Sequence, residues 1–330
     1  MLQKMLKQLL HILQIQMNKT ALPKRLSYTL WNRRYKMFDR LPFYASIQAI
    51  TPIQKGYSVD KKFYIKDKDG KEFLLRLVST DKASNQMPLL EKIKAIKNPY
   101  ISHLVDYGSL TDTTDFLLFE WKQGVILRNV IHSLPIKQQY ALGIECGQYL
   151  TEIHGISVDV QCHFLDYYQQ KVDNKLKNAN SIDIKVNHFD TFVDHLQSNI
   201  FLMKQRPIKI EHGDFHVGNM IYDGQHIHVI DWDRSEYGDP YDEFKPFAFN
   251  VEKSAAFQTG IIDGYFHGRI PDDFFPVLSV YAAEFCIGNL YWAYHFGKKE
   301  DMTMMYQLAE TIYDYFKGFT QTTPTWYGKY

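Results

Sequence analysis

Residues 210–233, IEHGDFHVGNMIYDGQHIHVIDWD, hold four histidines, four aspartates and one asparagine. Asp223-Gly224 lies between two apolar-rich runs, the strongest short-range signal for a β-hairpin. Folding back at that turn makes positions 219 and 230 cross-strand neighbours. Asn219 and Asp231 then reach the same open end. Asp214, just upstream in a glycine-containing loop, can reach it too. Two carboxylates and an amide oxygen converging there are hard donors, suited to Mg²⁺ rather than zinc. The histidines raise a zinc reading, and their spacing argues against it. His212 and His216 are four apart, but the intervening Gly213 and the following Val-Gly-Asn make a regular helix improbable. His226 and His228 alternate along one strand and so share a face, the usual pattern of a solvated strand.

The flanking sequence supplies the elements that would carry these groups. YSVDKKFYIKDKDGKEFLLRLVS reads as two strands joined at Asp-Lys-Asp-Gly. A helix is expected from about Gln86 to Lys97, ended by Asn-Pro. HLVDYGSL and DFLLFEW read as two more strands. After Gly124 the apolar spacing turns helical, over IKQQYALGIECGQYLTEIHGI, with breaks over 164–205, and through most of 255–318. Only the opening segment is expected to interrupt this second half with strands. The expectation is an α+β protein with a small β-rich lobe over 48–121 and a large helical lobe over 122–330. Residues 1–47 form an extension, expected to be helical.

HGDFHVGN and IDWDRSEYGDPYDEF resemble the motifs of the aminoglycoside phosphotransferase/choline kinase-type family, which has a two-lobed protein-kinase-like fold. The resemblance is most specific over 212–243. It implies that Asp214 is the catalytic base and that Asn219 and Asp231 hold Mg²⁺. It implies ATP, or GTP, as the phosphoryl donor. Ser58 lies in the phosphate-covering turn, which has one glycine, Gly56. Arg76 stands where the family usually has a phosphate-binding lysine; it is bulkier, permanently charged and able to bond phosphate bidentately. Glu91 would pair with that cation, and Glu120 and Lys122 would form the hinge against adenine. Asp242 and Glu243 of GDPYDEF, with Glu284, would suit a cationic acceptor. Asp239 is read as a helix cap. Only WDRSEY separates Asp231 from Gly-Asp-Pro, and no Ala-Pro-Glu follows, so the implied acceptor is a small-molecule hydroxyl. Two other readings stand beside this one: a catalytically weak nucleotide-binding pseudokinase, and a metal-dependent hydrolase.

Bulk properties are those of a soluble globular protein. The chain has 330 residues and a formal net charge of +1, so no bulk attraction to nucleic acid or membrane is implied. The cysteines Cys146, Cys162 and Cys286 form no Cys-x-x-Cys pair, and a reducing cytoplasm is expected. The start, MLQKMLKQLLHILQIQM, is too polar and short to span a bilayer and lacks a signal-peptide cleavage site. Nothing in the sequence sets the oligomeric state.

Overall fold

Five antiparallel strands form the first layer: β1 (Ile47–Ile53), β2 (Lys61–Asp67), β3 (Glu72–Ser79), β4 (Leu104–Thr111) and β5 (Thr114–Glu120), in the order β1-β2-β3-β5-β4. They belong to a computed structural model that describes residues 36–54, 60–160 and 163–330. Ser58, Cys162 and most of the N-terminal extension lie outside the described residues. The β2–β3 turn closes at Gly70, whose φ of 83° suits glycine. Strand alternation then sorts the side chains. Phe63, Ile65, Leu75 and Leu77 enter a core with Phe116 and Leu118, each worth roughly 1.5–3 kcal/mol when fully buried. Lys62, Leu74 and Arg76 fall on the opposite face.

Helix α1 (Thr80–Ile93) crosses that second face. It starts six residues earlier than the sequence pattern implies. Ser79 caps it, accepting the Lys82 N–H at 3.3 Å, and the helix runs on through Pro88. Met87-Pro88 looks like a first turn, where proline is tolerated, and so conceals the true start.

The second lobe holds α2 (Ile136–His154), α3 (Phe164–Asn180), α4 (Phe189–Asn199), α5 (Phe247–Val251), α6 (Ala255–Tyr265), α7 (Phe274–Phe296) and α8 (Lys299–Tyr315). Helix α7 is long and apolar enough to cross a membrane by composition alone, but it is mostly buried within this lobe. Helices α2 and α6 pack backbone to backbone. A Cβ on Gly143 would lie 2.1 Å from the Phe257 carbonyl oxygen, and one on Gly264 would lie 2.3 Å from that of Ile144. Strands occur outside the expected segment as well. A three-stranded sheet, β6-β8-β9, joins β6 (Val125–Ile126) to β8 (Met220–Tyr222) and β9 (Ile227–Val229), and β7 (Lys209–Glu211) pairs with β10 (Glu236–Gly238). These short pairs lie beneath the chemistry-bearing loop.

Candidate active site

The β8–β9 hairpin sets the geometry. Met220 pairs with Val229, and the Ile230 N–H donates to the Asn219 carbonyl at 3.0 Å. Positions 219 and 230 are therefore opposite one another, and Asp231 follows at the mouth. The indole of Trp232, 1% exposed, donates to the Ser102 carbonyl at 2.8 Å and anchors the end of the hairpin. Asp231 itself adopts φ 69°, a left-handed conformation that costs a non-glycine residue energy.

The loop before the hairpin is braced from below. Glu243, buried, accepts the backbone N–H of His212 at 2.6 Å and that of Gly213 at 3.0 Å. Gly213 has φ 77°, and a Cβ there would meet the Arg234 carbonyl oxygen at 2.1 Å. The His212 ring lies 2.9 Å from the Ile230 carbonyl through Nε2, and its Nδ1 accepts the Asp214 N–H at 3.3 Å. One imidazole, protonated at Nε2, thus ties the loop to the hairpin. The Val217 N–H donates to Asn250 Oδ1 at 2.8 Å.

These braces place Asp214 beside Asn219, whose amide donates to the Asp214 carbonyl at 2.9 Å and to its Oδ2 at 3.0 Å. His216 Nε2 lies 3.4 Å from the other carboxylate oxygen. Burial favours the neutral acid. The His216 hydrogen bond and charge, together with Arg234 and His212, outweigh it and hold the Asp214 pKa down at about 2. Asp214 is an ionised acceptor at neutral pH.

Asp231 meets two cations from the strand layer. Lys62 Nζ is 3.1 Å from its Oδ2, and Arg76 Nη1 is 3.8 Å from its Oδ1. Among the described residues, Oδ1 is buried without a hydrogen-bond partner. An unsatisfied carboxylate oxygen on the residue next to the cross-strand neighbour of Asn219 suits a hard divalent cation.

Arg76 is 2% exposed and enclosed by acids. Its Nη2 bonds Asp60, and Asp233 at 2.5 Å. Lys82 on α1 bridges the same two carboxylates, at 2.9 Å and 2.5 Å, and Gln86 donates to the Asp233 carbonyl at 2.8 Å. Burial raises the Asp233 pKa, and Arg76 with Lys82 overrides it, leaving the carboxyl well below the usual range. Glu91 does not take part. It sits on the exposed side of α1, 3.9 Å from Lys94, and makes no pair with Arg76.

A cleft of about 80 Å³ opens between the lobes, lined by Leu74, Phe119, Ile221 and Ile230, with Arg76 and Asp231 at one end and Glu120 to Lys122 at the other. Lys122 bonds Glu120 at 2.7 Å and the Pro99 carbonyl at 2.9 Å. The His103 hydrogen bond pulls the Glu120 pKa down to about 2 against its burial, and Lys122 assists.

The three acids expected to meet a cationic acceptor are engaged within the lobe. Glu243 holds the loop amides. Asp242 pairs with Lys171 at 3.2 Å and with Lys245 at 2.5 Å. Glu284 pairs with Lys175, and with Lys245 at 3.6 Å. All three are buried, as charged groups are when partnered. Asp239 is also internal: it bonds Arg206 through both oxygens, at 2.7 Å and 3.0 Å, and accepts the Tyr241 N–H. The sequence reading passed over Asp60, Lys62, Lys82, Gln86 and Asp233. Asp233 had the clearest signal, as the second acid of Ile-Asp-Trp-Asp. Asp60 and Lys62 flank Lys61 where β2 enters the cleft.

Residues 49–274 match the model of the phosphotransferase enzyme family known as APH. The chain belongs to that family. Among curated proteins, none gives a significant match. Solved structures of APH phosphotransferases share the fold. Aminoglycoside phosphotransferase APH(4)-Ia superimposes with a TM-score of 0.63 at 17% identity, covering 86% of this chain and 97% of its own. The GDP complex of aminoglycoside 2'-phosphotransferase-IIIa gives 0.62 at 14%, covering 88% and 98%. Amicoumacin kinase hAmiN, with AMP-PNP and Ca²⁺, gives 0.60 at 15%, covering 90% and 98%. The protein is accordingly an α+β phosphotransferase with the two-lobed protein-kinase-like fold.

Proposed function

We propose that this phosphotransferase moves the γ-phosphoryl group of ATP, or of GTP, to a hydroxyl of a small molecule. The observation that carries the reading is the hydrogen-bonded pair of Asp214 and Asn219, with Ile230 opposite Asn219 across the hairpin and Asp231 next to it at one end of the interlobe cleft. Similar proteins support it: one APH(4)-Ia structure is a ternary complex with ADP and hygromycin B, and hAmiN was solved with AMP-PNP, Ca²⁺ and its own small molecule.

In this reading the purine enters between Leu74 and Ile230, with Glu120 and Lys122 at the hinge. Asn219 and Asp231 hold Mg²⁺, which neutralises charge on the phosphates. Asp214 orients the acceptor hydroxyl and takes its proton as the new O–P bond forms and the β–γ bridge breaks, releasing the nucleoside diphosphate. Arg76 balances the carboxylates at its end of the cleft, and its enclosure by Asp60 and Asp233 favours this electrostatic role over a direct phosphate contact. The short link from Asp231 to β10 leaves no long activation segment, which supports a small acceptor over a protein. With Asp242, Glu243 and Glu284 engaged internally, polycations have no advantage from those residues. Aminoglycoside-like molecules and other small alcohols are the acceptors to try. A cytoplasmic setting, where ATP is abundant, belongs to this reading.

The locked Arg76 also favours a second reading, nucleotide binding without turnover. Incubation with γ-labelled ATP, Mg²⁺ and a panel of alcohols separates the two. Label transfer to an acceptor, lost in Asp231→Asn, supports the kinase. Thermal stabilisation by nucleotide with no transfer to any acceptor supports the binding protein.

A further inference from the structure

Resting on the phosphotransferase reading above, we infer that Lys62 is a phosphate-contacting lysine that occupies the metal ligand Asp231 until a metal–nucleotide complex arrives. The β2–β3 register places Lys62 directly opposite Arg76, on the cleft face of the sheet. The two cations differ in what already holds them. Arg76 is 2% exposed, and its guanidinium is bound by Asp60 and Asp233. Its fixed planar fork cannot turn to a new anion without giving up its bonds to buried Asp60 and half-buried Asp233, which would then share Lys82 alone. The Lys62 side chain is 12% exposed, and among the described residues its ion pair is with Asp231, at 3.1 Å. Its four-carbon stem and compact ammonium can swing through a few ångströms with little reorganisation.

A divalent cation on Asp231 would bring like charge against that ammonium. The nearest anions then available are the phosphates carried by the same cation. Lys62 therefore has two positions, one on Asp231 in the free protein and one on phosphate in the loaded protein. The exchange has a consequence that simple packing does not. Lys62 opposes binding of the metal alone and favours binding of the metal–nucleotide complex.

The two effects have opposite signs, and the experiment reads both without turnover. Mn²⁺ binding alone is followed by paramagnetic resonance of the free ion, and binding of Mn²⁺–AMP-PNP by calorimetry. The comparison uses wild type, Lys62→Met, Lys62→Arg and, as a control of equal charge change on the same strand, Lys66→Met. Lys62→Met should bind Mn²⁺ alone roughly tenfold more tightly and Mn²⁺–AMP-PNP roughly tenfold more weakly, the scale of one charge-assisted contact. Lys62→Arg should restore weak binding of the metal alone, which also shows that the position tolerates substitution. Lys66→Met should change neither. The inference is overturned if both affinities of Lys62→Met move in the same direction, or if neither moves. If wild type binds no nucleotide at all, the kinase reading falls and this inference falls with it; a wild type that binds while Lys62→Met is indistinguishable from it removes only the role of Lys62.

Discussion

The side-chain amide of Asn219 donates to Asp214 Oδ2 at 3.0 Å. The proposed base and a proposed metal ligand are thus joined before any substrate is present. The amide group faces Asp214, so the proposed base is oriented by the proposed metal ligand. Asp214→Asn keeps the shape but offers no anionic acceptor. Turnover should fall by about 10²–10⁴-fold, the usual contribution of a general base, while nucleotide affinity stays near that of wild type. Steady-state rates with an identified acceptor, beside calorimetric nucleotide binding, check this. Asn219→Ala should differ, because it loosens both the base and the cation. Its turnover and its metal–nucleotide affinity should fall together.

Glu243 gives a prediction about a residue that touches no substrate. Its two oxygens accept two consecutive loop amides. Glu243→Gln would aim an NH₂ group at one of those N–H donors and leave it unsatisfied. The expected loss of stability is about 2 kcal/mol, typical of a buried hydrogen bond to a charged group. Turnover should fall with it, while nucleotide affinity changes little, since the cleft is built elsewhere. Urea unfolding and kinetics on the same preparation test both halves.

His195 on α4 supplies a pH dependence. Burial of its ring, which lies 2.8 Å from Ser279 Oγ, pushes its pKa from 6.5 down to about 4. The unfolded chain therefore binds a proton at His195 that the folded chain refuses. The resulting stability is intact above pH 6.5 and is lost as pH falls toward 4. Allowing for partial exposure of the ring, the loss is on the order of 1 kcal/mol. His195→Gln should flatten that part of the stability–pH curve, measured by denaturant midpoints at several pH values.

The hairpin was legible because Asp-Gly fixes both the turn and the register, and residues 219 and 230 follow from it by counting. The absence of Glu91 from the Arg76 cluster was not, and the reason is helical phase. With α1 starting at Thr80, the face toward the strands carries Lys82, Gln86, Leu90 and Ile93, one turn after another. Glu91 falls on the opposite side. The acids of GDPYDEF misled for a different reason. A run of carboxylates looks exposed in a sequence, and the lysines that neutralise Asp242 and Glu284 come partly from α3, about seventy to a hundred residues away. Burial with a distant partner leaves no local mark.

The glycine contact between α2 and α6 bears on how the site tolerates change. The two helices run side by side and finish together, where His154 Nδ1 meets the Tyr265 hydroxyl at 2.9 Å and His154 Nε2 lies 3.6 Å from Glu243. Because the backbones themselves touch, no long side chain can absorb a displacement. The pair acts as one strut whose tip lies against the carboxylate that holds the loop amides of His212 and Gly213. An added methyl at Gly143 or Gly264 would be transmitted along it, so drift at positions far from any ligand can mistune phosphoryl transfer in a protein that still folds.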